Sequence, residues 1–386
     1  MPENPVLVDI GRILAGARVR LGLGVEPLAE AIGVPPRRIH DAEAGRAGLT
    51  TTDLGRLCGP LCLDEAALLA GREETVPEAP SVFFRHAPMH DFLDEDLGEL
   101  DRAVAGGRAL IQLGDLLGVE VGPRRAGTFA MVAAGGDRPG RAARDGYERA
   151  REVRARLGLG HDRIEDIRLL AEERLEVAVT VIALRSPRAT AVAVRRGAAA
   201  AIVLNANDAE RVRNPLLTRV HIAHELCHLV FDPSPGGLHL VVDLVADKRD
   251  LRGEQRARGF AAEFLMPQEG LVALLGEPAG TTSRASAALL VKKAREHFGT
   301  PHEIAAHHLV NHGYVDELLH DWISTPEPQT GRPRRVLTSL PDVGAPPRLL
   351  AERARRAHDL GLVTDGEARS LLDIDGLMPL PWDRPS

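Results

Sequence analysis

His224 and His228 stand four residues apart in the run His221-Ile-Ala-His224-Glu225-Leu-Cys-His228-Leu-Val-Phe. On a helix this spacing projects both imidazoles from one face, so two ring nitrogens can bind one tetrahedral Zn²⁺. Glu225 follows His224 directly and lies beside the metal's open position. A carboxylate there can take a proton from the attacking water. H-E-x-x-H on a helix is the signature of metal-dependent hydrolysis. The plain alternative is a buried helix with two hydrogen-bonded histidines, and 15 His in 386 residues allow a chance match. The neighbours weigh against it. Ile222, Ala223, Leu226, Leu229 and Val230 make the stretch apolar. Three ionisable groups on a buried helix are costly unless something binds them.

A hydrolytic zinc site takes three protein ligands and leaves the fourth position for water. Downstream, Ala257, Phe260, Ala261, Phe264 and Leu265 recur at helical spacing and give a second amphipathic helix. Glu254 sits one turn before Ala257, on the side of the apolar stripe. Glu263 lies between buried positions but off that stripe. Glu254 is therefore favoured as the third ligand, with Glu263 as the fallback. The competing reading of Glu254 is a solvated carboxylate at a helix N-terminus.

The two segments together resemble the ImmA/IrrE metallopeptidases, which are zincins. Ala223 to His228 matches the A-H-E-x-x-H helix of that family. Glu254, Ala257, Phe260, Ala261, Ala262, Phe264, Leu265, Met266 and Pro267 match its second motif, with Phe264 where Leu is usual. The strand end Ile202-Val-Leu-Asn205 and the Arg-containing stretch from Arg211 to Arg219 also fit. Two adjacent motifs in register are far more specific than either alone. The resemblance covers Tyr147 to Trp322. It implies one zinc per chain held by His224, His228 and Glu254, with Glu225 as general base. It also implies a protein substrate, a transcriptional repressor or an antitoxin-like regulator. Cys227 departs from the pattern, where Gly or another small residue is common. It reads as a small buried hydrophobe, with a redox-sensing thiol beside zinc as the other reading.

The first seventy residues are organised separately. Ile10, Ile13, Leu14 and Ala17 space as one helix. Leu28 to Ile32 reads as a short helix ending at Gly33, and a second short helix runs from Pro35 or Pro36 to Ala44, stopped by Gly45. Two short helices on a tight turn make a helix-turn-helix. Ile10-Gly-x-x-Leu14-x-x-x-Arg18, Leu28-Ala-x-x-x-Gly33-Val34 and Ile39-x-x-x-Glu43-x-Gly45 resemble the XRE/Cro-type family. The resemblance implies a buried ion pair between Arg18 and Glu43. If the module binds double-stranded DNA, Arg37, Arg38 and His40 meet base edges, while Arg46 and Thr50, Thr51 and Thr52 touch phosphates. Against this, residues 1–72 carry eight Arg and nine acids, and Glu26 stands where a phosphate-binding polar residue is usual. Protein contact or dimerisation is the alternative use.

Between these modules, 73–80 reads as a polar linker. Phe92, Leu93, Leu97, Leu100, Ala103, Leu110, Ile111, Leu113 and Leu117 support a long helix with a break near Gly106-Gly107, a spacer or a dimer helix. Residues 122–145 read as a mobile Gly/Arg/Ala-rich loop. Helices are expected near 146–157 and 163–174, then strands at Val177 to Leu184, Thr190 to Val194 and Ala200 to Leu204. Residues 281–322 look helical, with a turn at Gly299. Metal binding by His302, His307, His308 and His312 is one reading, but His307 and His308 are adjacent and face different ways, so the run reads as a solvated or core-lining helix, although one of them or Tyr314 is open as an oxyanion stabiliser.

The expected class is α+β, mostly α with a small β-sheet. An all-helical helix-turn-helix domain (1–75) precedes a linker with a long helix and a mobile loop (76–145) and a zincin-like metallopeptidase domain (146–322). A Pro-rich linker (323–347) and a helical C-terminal extension (348–386) follow. Net charge is −7, which argues against wholesale coating of nucleic acid. Three cysteines, Cys58, Cys62 and Cys227, make no disulfide framework, and no secretion signal or membrane-spanning stretch is evident. The chain reads as a cytoplasmic regulatory peptidase. The rival reading is a DNA-binding regulator whose peptidase-like domain senses without turnover.

Overall fold

The Val-, Ile- and Ala-rich runs between 177 and 205 form strands because small and β-branched side chains pack well on a buried pleated surface. In the computed structural model these are β1 (Val177–Ile182), β2 (Ala189–Arg196) and β3 (Ala199–Asn205), joined by β4 (Leu238–Leu244). The structure describes residues 5–20, 25–32, 34–46, 50, 53–54, 57, 61, 63, 68–69, 94–119, 142–185, 189–196, 199–208, 214–231, 238–244, 251–324, 342–376 and 378–383. The sheet order is β1-β3-β2-β4. β1 runs parallel to β3, and β2 runs antiparallel to both β3 and β4. The fold is thus mostly helical with a small sheet. β4 was not foreseen from the sequence.

Every residue of β1 and β3 is buried, because helices cover both faces. Successive side chains alternate between them. Ala178, Ile182, Val192, Val194, Ala201 and Val203 face Leu100, Ala103 and Val104 of α4 (Asp94–Leu116). Val177, Val179, Val181, Ala191, Ala193, Ile202 and Leu204 share the opposite core. That core draws on α5 (Ala142–Leu157), α6 (Ile167–Leu175), α7 (Pro215–Phe231) and α8 (Leu251–Leu265). The N-terminal part holds α1 (Pro5–Arg20), α2 (Val25–Ile32) and α3 (Pro36–Glu43) around their own apolar cluster.

Several expectations need correction. α4 is unbroken at Gly106-Gly107. A Cβ on Gly107 would lie 2.4 Å from the Ala200 carbonyl oxygen. The glycine thus serves close approach of helix to sheet, not a break. Residues 142–145 belong to α5, not to a loop. α6 starts later than expected, where the Asp166 side chain accepts from the Arg168 and Leu169 amides. Gly122 to Arg141, Cys58, Cys62, Thr51, Thr52 and 73–80 lie outside the described residues.

After Pro267 come α9 (Gln268–Leu275), α10 (Arg284–Phe298), α11 (His302–Asn311) and the short α12 (His320–Ser324). The last helices are α13 (Arg348–Asp359) and α14 (Asp365–Leu372). α13 packs on α4 through Leu350, Ala354 and Ala357. Arg353 pins it by donating to the Leu110 carbonyl (2.7 Å) and to Glu176 (3.0 Å). No described helix is long and apolar enough to cross a membrane.

Glu172, fully buried on α6, accepts the Leu349 amide at the start of α13 (2.9 Å). Burial raises its carboxyl from 4.5 to about 7, against the opposing Leu349 hydrogen bond. The folded state therefore holds this proton more tightly than the unfolded chain. Its favourable contribution is complete below about pH 4.5 and lost as pH rises through about 7, up to about 3 kcal/mol in all. Glu172→Gln is expected to raise the urea midpoint at pH 8 and leave it unchanged near pH 4.5. An equal shift at both pH values would show that the carboxylate is not what is being titrated.

Candidate metal centre

α7 carries the first motif, and its start is firmly held. Asn214 accepts the Leu216 amide (3.1 Å). Arg219, buried among apolar neighbours, donates to the carbonyls of Glu165 (2.8 Å), Ile164 (2.5 Å) and Phe298 (3.3 Å). Burial lowers this guanidinium to about 10, so it remains charged at neutral pH. A single Arg in an apolar helix was the available signal, and it fixes α7 against the loop before α6 and the end of α10.

Further along α7, His224 and His228 turn their Nε2 atoms to within 3.0 Å of each other. Glu254, in the first turn of α8, places Oε2 at 3.2 Å from His224 Nε2 and Oε1 at 3.4 Å from His228 Nε2. All three residues are buried. Ligands bonded tetrahedrally to zinc at 2.0–2.1 Å lie about 3.3 Å apart. The donor set and its spacing therefore fit a zinc ion. Burial alone would raise the Glu254 carboxyl, but hydrogen bonds and the fields of His224 and His228 outweigh it and hold the group far below the usual carboxylate range. Glu225 lies one residue beyond His224 and is fully buried. Cys227 is buried in the sheet-facing core.

Other residues considered from sequence go elsewhere. Glu263 does not join His224 and His228. It sits further along α8 and meets His308 at 3.2 Å and His312 at 3.0 Å. The Tyr314 hydroxyl donates to the Gly276 carbonyl (2.8 Å). His302 bonds the Ile323 carbonyl (2.7 Å), and His307 pairs with His320 (2.6 Å).

In the N-terminal unit Arg18 pairs with Glu43 through two contacts, at 2.5 and 2.9 Å. Arg37, Arg38, His40 and Arg46 are all exposed. Arg38 lies 2.9 Å from Asp53, while Arg46 lies 2.9 Å and Arg37 3.6 Å from Asp41.

Residues 173–310 match the family model of the IrrE N-terminal-like domain, peptidase family M78. The matched stretch of this IrrE-like domain contains His224, Glu225, His228 and Glu254. The match supports the ImmA/IrrE resemblance and with it a metallopeptidase-type regulator. No curated protein and no solved structure matches.

Proposed function

We propose that this chain is a regulatory zinc metallopeptidase that cleaves a protein, a transcriptional repressor or antitoxin-like regulator, in the cytoplasm. The convergence of His224, His228 and Glu254 at zinc-ligand spacing carries the reading. A bound zinc ion supplies Lewis-acid polarisation of a scissile carbonyl and a lowered water pKa. Glu225 takes the proton from the attacking water and returns it to the leaving amine. Arg219 holds α7, and so the two histidines and Glu225, against the loop before α6 and the end of α10. β4 is an edge strand of the sheet and falls between α7 and α8 in chain order. Strand addition to that edge is one way to hold a substrate chain in extended form.

In this reading the N-terminal unit brings the peptidase to its target, through DNA or through protein contact. The Arg18–Glu43 pair supports the helix-turn-helix resemblance. The carboxylates beside Arg38 and Arg46 must be displaced before either cation can serve a phosphate.

Glu254→Ala is expected to lose the zinc of this centre and all cleavage. The test is to treat a host proteome with wild type and with the variant and compare new protein N-termini. Identical sets from both would end the peptidase reading.

A further inference from the structure

α8 offers a carboxylate to a histidine pair twice. At its first turn Glu254 meets His224 and His228, four residues apart on α7. At its far end Glu263 meets His308, on α11, and His312, four residues on at the C-cap of that helix. The two histidine pairs have similar geometry. Ring centroids lie 4.8 Å apart in the first and 4.4 Å in the second, and both pairs are edge-on. In the second cluster a single oxygen, Glu263 Oε2, lies 3.2 Å from His308 Nε2 and 3.0 Å from His312 Nε2. The Met266 carbonyl oxygen lies 2.9 Å from the same His308 nitrogen. Two imidazole nitrogens and one carboxylate oxygen thus converge, all within 4.8 Å of one another, with the Met266 carbonyl beside His308.

The surroundings also suit ligation. A metal-binding imidazole needs an oxygen to accept its other ring N–H. The Tyr147 hydroxyl lies 3.3 Å from His308 Nδ1 and is itself steadied by Asn311 Nδ2 at 2.9 Å. A ligating carboxylate is normally anchored through its second oxygen. Glu263 Oε1 accepts from Arg151 Nε (3.0 Å) and from the Gln268 amide (3.1 Å). Oε2 is left to face the histidines. Glu263 and His308 are buried, and the half-exposed Arg151 and the nearly buried His312 mark the side nearest solvent. Burial would raise the Glu263 carboxyl, but its histidine and Arg151 partners hold it well below the usual range.

We infer that Glu263, His308 and His312 form a second divalent-cation site, separate from the candidate catalytic centre. Imidazole with oxygen suits zinc and the neighbouring transition metals. The ion would tie α8 to the C-terminal end of α11, a structural role. The inference does not depend on the peptidase reading. The same atoms without a cation would form a hydrogen-bonded network, with Oε2 accepting from both rings.

The test is zinc titration of the metal-stripped full chain, followed by gel filtration and elemental analysis. Wild type is compared with His224→Ala, His312→Gln and Glu263→Gln, and circular dichroism confirms folding. His312→Gln guards against Glu263→Gln failing to fold because the Arg151 partner is lost. The expected result is two equivalents in wild type and one in each variant. If His312→Gln folds and binds as much zinc as wild type, the hydrogen-bonded network alone is present and the inference falls. If wild type binds one equivalent that His312→Gln loses and His224→Ala keeps, the second site stands and the catalytic centre is the one in error.

Discussion

Glu225→Gln is expected to cut target cleavage by about 10²- to 10⁴-fold while leaving zinc content unchanged. The substitution keeps side-chain volume and hydrogen-bonding capacity and removes only the basicity. Glu225 is not among the converging donors; His224, His228 and Glu254 are. Loss of its charge should therefore not release the ion. The residue is also fully buried. The defect should fall on kcat, because proton transfer belongs to the transition state. Cleavage rate and elemental analysis of the same preparation decide the matter. A wild-type rate would remove Glu225 from the chemistry. Loss of zinc together with activity would move it into the ligand set.

The site was more legible than the frame around it. His224 and His228 lie one helical turn apart, so local spacing places both on one face, with Glu225 next to His224 in the chain, before any tertiary contact forms. Choosing Glu254 over Glu263 rested on the apolar stripe, and the structure brings Glu254 to the histidines. Glu263 is nonetheless buried, because His308, His312 and Arg151 approach it from two other helices. No pattern within α8 reports partners that arrive from 45 to 112 residues away. His308 and His312 do show the same four-residue spacing as the first pair, but the adjacent His307 and His308 face different ways, which weighs against metal binding by the run as a whole. The strands between 177 and 205 were legible because continuous Val, Ile and Ala runs mark a sheet covered on both faces. β4 was missed, and only pairing with β2 defines it. In sequence α4 reads as a spacer or a dimer helix, with a break suggested by its two central glycines. Against the sheet, Gly107 instead lets backbones touch, and periodicity alone does not separate these uses.

Gly146→Ala and Gly98→Ala, the same change in two helices, are expected to move stability in opposite directions. In α5 a Cβ on Gly146 would lie 2.1 Å from the Arg256 carbonyl oxygen and 2.6 Å from the Phe260 amide nitrogen. Reciprocally, a Cβ on Gly259 of α8 would lie 2.3 Å from the Ala143 carbonyl oxygen. The obstacles are backbone atoms, so no side-chain rotation relieves them and the helices must part. Overpacking of this kind costs about 1–3 kcal/mol or more. A Cβ on Gly98 of α4 meets nothing within 4 Å. There the alanine restricts the unfolded chain and favours helix, a gain of about 0.5–1 kcal/mol. Urea midpoints of the two variants measure the difference directly. The larger consequence concerns the centre, because α8 carries Glu254 and α5 presses against it two residues along, at Arg256. Parting the helices moves Glu254 relative to His224 and His228 on α7. Zinc affinity of Gly146→Ala is expected to fall by about 10- to 100-fold, the usual range when support for a ligand is lost. Gly98→Ala should bind zinc as wild type does. Equal stability of Gly146→Ala and wild type would mean that α5 and α8 do not cross this closely, and the placement of Glu254 would have to be redrawn.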